Sequence, residues 1–242
     1  MSHVPTVMRM AVIQFPGSNC DTDCQAALLS FPGVESEIVW HKETSLEGYD
    51  AVVLPGGFSY GDYLRCGSIA RFSPIMGAVR GAADSGVLVI GICNGFQILC
   101  EAGLLPGTLL RNKGLLFRCE HTHLRVENAD TPFTSVLHKG QVLDIPIAHG
   151  EGSYFADAET LRQLNANNQV LLRYCDAQGS VSPESNPNGS LENIAGICSH
   201  GRNVFGLMPH PERVCDPLLG GTDGRGIFQS MVEWAASHTA RA

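Results

Sequence analysis

The sequence predicts a doubly wound α/β sandwich with a mostly parallel sheet. Two observations predict it. Met10–Phe15 (MAVIQF), Ala51–Leu54 (AVVL) and Val87–Cys93 (VLVIGIC) are short, nearly continuous apolar runs. Such runs read as strands covered on both faces, as in a parallel sheet. Helical patterns alternate with them, and that alternation implies layers of helix over a sheet.

The elements follow in chain order. Asp21–Ser30 reads as a helix, with Ser18 and Asn19 as capping residues. Ser68–Ala83 is a second helix and Gly95–Glu101 a third. Val142–Ala148, Val170–Tyr174, Ile194–Ser199 and Val204–Met208 are further strands. Asp157–Asn165 and Gly226–Ser237 are further helices, the last with Thr222 and Asp223 as caps. Residues 178–193 (QGSVSPESNPNGSLEN) form a polar, turn-rich loop joining two strands. No repeat or low-complexity tract divides the chain, so residues 1–242 read as one domain.

Composition narrows the function classes. The 242 residues are 44% apolar and carry a formal charge of −8. That apolar share excludes a disordered chain. The acidic balance argues against nucleic-acid or anionic-membrane partners. Charged residues are 17%, below the usual ~25%, so part of the surface is expected to meet a partner. No apolar run reaches the ~20 residues of a membrane span. The start MSHVPTVMRMAVIQF shows no signal-peptide pattern, and the expected location is cytoplasmic. Nine cysteines without such a signal favour reduced thiols, most of them buried.

In a parallel sheet, sites form where strands end at their carboxyl side. Gly91-Ile-Cys93-Asn-Gly95 follows the most apolar strand and precedes a helix. G-x-C-x-G is a cysteine version of the nucleophile elbow. Side chains in place of the two glycines would clash in the tight crossover. The helix N-terminus beneath Cys93 favours an anionic sulfur. The plainer alternative is a buried cysteine in a glycine turn.

A thiolate enzyme also needs a histidine held by a third group. His3, His41, His138 and His238 lie near a terminus or in polar stretches, and are expected in solvent. Cys119, His121 and His123 alternate, and on a strand would share one face. With no fourth ligand nearby they make a poor zinc site, and no metal is expected. Met208-Pro-His210-Pro-Glu212 follows an apolar strand. Pro211 extends the backbone at His210, which puts His210 and Glu212 on one side. Ala148-His149-Gly-Glu151-Gly152 offers the same spacing with a looser backbone. Rigid backbone favours His210 as base, with His149 the rival.

Leu54-Pro-Gly56-Gly57-Phe58 leaves backbone amides bare at a strand end. Such amides can bind an oxyanion, with the amide of Asn94 as the second donor. The plainer alternative is an ordinary turn that needs positive φ. Gln97, one helical turn after Cys93, either faces substrate or lies on the helix surface. No G-x-x-x-x-G-K-[ST] loop occurs, and Gly220–Gly226 lacks its lysine. ATP chemistry is not expected within this chain.

These motifs together resemble the class I glutamine amidotransferase family, which implies a flavodoxin-like sheet. PGSNCDTD (16–23), PGGFSYGDYLRCGSIAR (55–71), GICNGFQIL (91–99) and AHGEG (148–152) carry the likeness. NPNGSLENIAGI (186–197), MPHPER (208–213) and LLGGTDGRGIF (218–228) extend it over nearly the whole chain. Within the family they are most similar to the separate glutaminase subunits of phosphoribosylformylglycinamidine synthases. The resemblance implies Cys93 as nucleophile, His210 as base and Glu212 as its orienter. It implies Gly57 and Asn94 as oxyanion donors, Gln97 as a glutamine contact and His149 in support. It also implies a large synthase subunit that uses ATP and magnesium in purine synthesis, and a small third subunit. Nothing carries over to Cys119, His121 or His123.

Two readings stay beside it. One is a glutaminase serving another synthase, against which GGFSYGDYLR argues. The other is a non-catalytic module on the same fold, which would lack a nucleophile, base or acid.

Overall fold

Two-sided burial is what the apolar runs receive. β1 (Met8–Gln14), β3 (Ala51–Leu54) and β4 (Leu88–Ile92) lie side by side and parallel within a nine-stranded sheet. Every residue of β3 and β4 is buried. The computed structural model describes residues 7–239, so the expectations for His3 and for the His238 side chain lie outside it.

β2 (Val34–Trp40) pairs parallel with β1, and β11 (Val204–Leu207) pairs parallel with β4. Beyond β11 the direction alternates through β10 (Ile194–Cys198), β9 (Val170–Cys175), β6 (Arg118–Val126) and β7 (Val142–His149). The full order is β2-β1-β3-β4-β11-β10-β9-β6-β7. β10 is as apolar as β3 and wholly buried, yet antiparallel to both neighbours. An apolar run therefore reports cover on two faces and not strand direction. β5 (Thr108–Leu110) and β8 (Ser153–Phe155) make a separate two-stranded ribbon.

Helices flank the sheet. α1 (Asp21–Leu29) is the crossover from β1 to β2, and α2 (Ile75–Asp84) joins β3 to β4. α3 (Asn94–Glu101) leaves β4 and packs over β3, β4 and β11. α4 (Ala158–Ala166) starts where the Asp157 carboxylate accepts from Thr160 N at 2.7 Å. α5 (Arg225–Thr239) returns against α1 and β1.

Several expectations are corrected. The helix expected over Ser68–Ala83 is a 3-10 turn at Ala70–Phe72, an extended Ser73, and then α2. Pro74 is the cause, because it drives the preceding residue out of the α region. Neither Ser18 nor Asn19 caps α1. Ser18 Oγ accepts from Phe15 N at 3.0 Å, and the N-cap is Cys20 without a side-chain bond. Asp223 accepts from Asp144 N of β7 at 2.7 Å. His41 is not in solvent. Its ring is buried, with Nδ1 2.9 Å from the Tyr60 hydroxyl and 3.3 Å from Ser73 Oγ. β2 and the start of β6 were hard to read because both expose one face, so polar residues interrupt the apolar pattern. On β6 the Cys119, His121 and His123 face is mostly exposed, and His121 Nδ1 pairs with Asp144 Oδ1 at 2.8 Å.

Candidate active site

β4 delivers Cys93 into a backbone that few residues accept. Its φ is 50° and ψ −105°, strained for a residue with a Cβ. The strand fixes the turn from one side, since Cys93 N donates to Leu207 O at 2.8 Å. α3 fixes it from the other, beginning at the next residue. The two glycines answer the expected crowding. A Cβ on Gly91 would stand 2.6 Å from Gly95 O, and one on Gly95 would press into Leu54. Cys93 is 5% exposed, and its sulfur faces Ala148 O at 3.7 Å.

β11 ends in the proline-framed segment that carries His210, and a 3-10 turn at Pro211–Val214 follows. His210 N donates to Pro146 O of β7 at 2.8 Å. Its Nδ1 lies 2.6 Å from Glu212 Oε1, as the two-residue spacing anticipated. Both residues are 1% exposed. Because a carboxylate accepts, the ring donates from Nδ1, and in the neutral form Nε2 carries the lone pair. Among the described residues Nε2 has no partner within hydrogen-bond distance. Burial alone would press the His210 pKa down. The Glu212 carboxylate and then the Cys93 sulfur outweigh it and hold the imidazole well above its usual value.

The Gly56–Gly57 loop lies against this pair. A Cβ on Gly56 would stand 2.7 Å from His210 Cε1. Gly57 has a φ of 154°, which suits glycine. Neither the Gly57 amide nor the Asn94 amide is engaged by a hydrogen bond among the described residues. The Asn94 side chain is engaged. Its Oδ1 accepts from Ser59 N at 3.2 Å, and its Nδ2 donates to Gln97 Oε1 at 2.9 Å. Gln97 Nε2 then donates to Glu151 O at 2.6 Å. Both ends of its amide already clasp the elbow to the 148–152 loop.

His149 is buried in a cage that the sequence did not reveal. Its Nδ1 meets Asn112 Oδ1 at 3.1 Å and its Nε2 meets Asn188 Nδ2 at 3.5 Å. Burial, with His210 nearby, pushes its pKa down to about 4. Asn188 lies in the 178–193 loop. Asn112 sits in a short polar turn with no pattern to mark it.

Cys20, His210 and Glu212 place ligand atoms within 4.8 Å of one another, the one such cluster found among the described residues. Arg213 Nη2 donates to Cys20 Sγ at 3.2 Å. A guanidinium against the sulfur opposes a second cation there.

A buried cysteine on an elbow beside a His–Glu pair, on a doubly wound sheet, defines a class of amide hydrolase. Comparison gives the same class. The CobB/CobQ-like glutamine amidotransferase domain matches residues 7–235. The chain belongs to the glutamine amidotransferase family, on its PurQ branch. It is 60% identical over 227 residues to the phosphoribosylformylglycinamidine synthase subunit PurQ of Moorella thermoacetica, covering 94% of this chain and 96% of that protein. The PurQ subunit of Salinibacter ruber is 58% identical over 224 residues, covering 93% and 95%. A structure of PurLQS from Thermotoga maritima superposes with a TM-score of 0.83 at 45% identity, covering 94% of this chain and 98% of that chain. Another glutamine amidotransferase from Thermotoga maritima has a TM-score of 0.60 at 15% identity, covering 95% of this chain and 98% of that chain, and shares the fold.

Proposed function

We propose that this chain is the glutaminase subunit of a phosphoribosylformylglycinamidine synthase and that Cys93, His210 and Glu212 carry the reaction. The observation that supports this most directly is the buried His210–Glu212 bond at 2.6 Å, which leaves Nε2 free to act as base. His210 takes the Cys93 proton and the thiolate attacks the side-chain carbonyl of glutamine. The amides of Gly57 and Asn94 receive the developing oxyanion. Such a donor contributes about 3–4 kcal/mol to the barrier. His210 returns the proton to the leaving ammonia. Water, deprotonated by the same imidazole, then hydrolyses the thioester to glutamate. Glu212 holds the ring and steadies its positive charge. Gln97 and His149 keep the 148–152 loop in place.

Ammonia passes to a large synthase subunit, where ATP and magnesium drive amidine formation on the ribonucleotide. A small third subunit completes the complex, which works in the cytoplasm. The relatives' names and the PurLQS structure support membership of such a complex. No helix among the described residues is long and apolar enough to cross a membrane. The chain acts as one domain over residues 1–242.

The test is direct. A glutamine-like chloroketone is expected to label Cys93 alone, one per chain, and Cys93→Ser is expected to lose glutamine hydrolysis with its fold intact. Most of the activity surviving in Cys93→Ser would overturn the assignment.

A further inference from the structure

The PGSNCDTD segment contains a buried thiol that the mechanism above does not use. Cys20 is 1% exposed and lies beside the imidazole, its sulfur 3.9 Å from His210 Nδ1. The sulfur is held from two other sides. It donates to Asn19 Oδ1 at 3.2 Å and accepts from Arg213 Nη2 at 3.2 Å. Arg213 also stands near the base's carboxylate, with Nε 4.0 Å from Glu212 Oε1. The backbone of the same segment grips the oxyanion loop. Asn19 N and Cys20 N both donate to Gly56 O, at 3.3 and 3.2 Å, and Phe58 N returns a bond to Gly17 O at 2.9 Å. A Cβ on Gly56 would meet Cys20 Sγ at 3.2 Å as well as the imidazole. One short segment thus touches the oxyanion loop, the base and the guanidinium beside the base's acid.

We infer that Cys20 is a positioning residue for the glutaminase reaction, holding His210 in its Nδ1–H form and in register with the Gly56–Gly57 loop. The chemistry follows from the donors and acceptors. The sulfur's own proton goes to Asn19, so lone pairs face Arg213 and the Nδ1–H of His210. Nδ1–H is shared between Glu212 Oε1 at hydrogen-bond length and the sulfur at longer range. A proton favoured on Nδ1 by two acceptors leaves Nε2 as the base. Sulfur suits the long reach, being larger than a hydroxyl oxygen and a weaker acceptor that does not compete with the carboxylate. Arg213 is its counterpart, keeping the sulfur and the carboxylate turned to the same side of the ring.

This inference rests on the reading of His210 as base, and the experiment separates the two. Cys20→Ala, Cys20→Ser and Arg213→Gln are each assembled with the synthase partner. Reactive sites are counted by chloroketone labelling of Cys93. Per labelled site, Cys20→Ala is expected to lose about tenfold in kcat with KM within twofold, since the loss falls on the chemical step. The limb of the pH–kcat profile set by His210 is expected to move to lower pH, because an acceptor for the charged ring is gone. Cys20→Ser is expected to recover most of both. Arg213→Gln, on a part-exposed side chain, is expected to lower kcat in the same way even if Cys20→Ala fails to fold, but with the His210 limb moved to higher pH, because a cation beside the base's carboxylate is gone. Unchanged kcat and pH profile in Cys20→Ala and Arg213→Gln would overturn the inference. So would a loss wholly accounted for by fewer labelled sites, or one that serine deepens. Failure of the chloroketone to label Cys93 in the unaltered chain would instead overturn the catalytic reading beneath it.

Discussion

His149 donates from Nδ1 to Asn112 Oδ1 across 3.1 Å. Asn112 permits no other assignment. Its Nδ2 donates to Leu116 O and His149 O, at 2.9 and 2.8 Å, and its Oδ1 also accepts from Gly152 N at 3.0 Å. Asn188 Nδ2 then faces the remaining nitrogen. The ring is neutral and occupied at both ends. It braces a loop.

From that cage follows the contrast between the two histidines. His210→Ala is expected to lower kcat by about 10²–10⁴-fold, the usual contribution of a general base. His149→Ala is expected to act less on kcat and more on KM, by loosening the 148–152 loop. Steady-state kinetics of both variants decide it. If His149→Ala abolished turnover while His210→Ala merely raised KM, the roles would be exchanged.

The same cage sets a pH dependence of stability. Folded His149 has its pKa pushed down to about 4 by burial, against an ordinary value near 6.5. Between those values the unfolded chain takes up a proton that the folded chain refuses. Stability contributed by neutral His149 is therefore full above pH 6.5 and falls as the pH drops toward 4, by about 3 kcal/mol in all. His210 is shifted upward, so it acts in the opposite sense while the unfolded imidazole takes its proton near pH 6.5, and it adds no slope below about pH 5.5. Denaturant titrations at pH 5.5, 5 and 4.5 are expected to show the His149 loss, and His149→Gln to flatten it. Parallel curves for the two chains would contradict the account.

Gly56 offers a test of how tightly the base is held. A methyl group there would stand 2.7 Å from His210 Cε1. One of the two must move, and a displacement near 1 Å can cost about a hundredfold in rate. Gly56→Ala is expected to lose ten- to a hundredfold in kcat while melting within about 1 kcal/mol of the parent. A fully active Gly56→Ala would show that the loop yields and that its register with the imidazole is slack.

Partner binding should activate the chain. The chain carries a hydrolase site without a phosphate loop of the P-loop pattern, so ammonia released by the free subunit would be lost. Tyr63 and Leu64 stand 88% and 66% exposed on the loop that runs from the Gly56–Gly57 turn. A docked surface can raise activity only by favouring the competent arrangement. A gain of ~10–100-fold corresponds to ~1.4–2.7 kcal/mol of coupling. Glutamate release by the pure chain, with and without the synthase and its ribonucleotide substrate, measures it. Equal rates would mean that the free subunit is already complete.

Much of this was legible because the signals were local. G-x-C-x-G states its own turn, and P-H-P-E states both the extended backbone and the His–Glu spacing. β3 was read to the residue because no polar position interrupts AVVL. What escaped depends on distant partners. Nothing near His41 announces that Tyr60 and Ser73 will enclose it. Gln97 looked free because its partners, Asn94 and Glu151, meet it only once α3 and the 148–152 loop pack together. Cys20 stood out from none of the other cysteines expected to be buried, since His210 approaches it from the other end of the chain.

β7 is the outermost strand of the antiparallel half, yet it touches both reacting residues, through Ala148 O at the Cys93 sulfur and Pro146 O at the His210 backbone amide. The sheet must therefore curl until its late-paired edge meets the ends of β4 and β11. During synthesis the nucleophile leaves the ribosome long before the base does. Until β11 is added beside β4, a growing chain holds a thiol on an elbow with nothing to take its proton. Such non-local pairings form slowly. On the proposed roles, a half-made subunit lacks the base for glutamine hydrolysis, and the first turnover marks a chain whose whole sheet has closed.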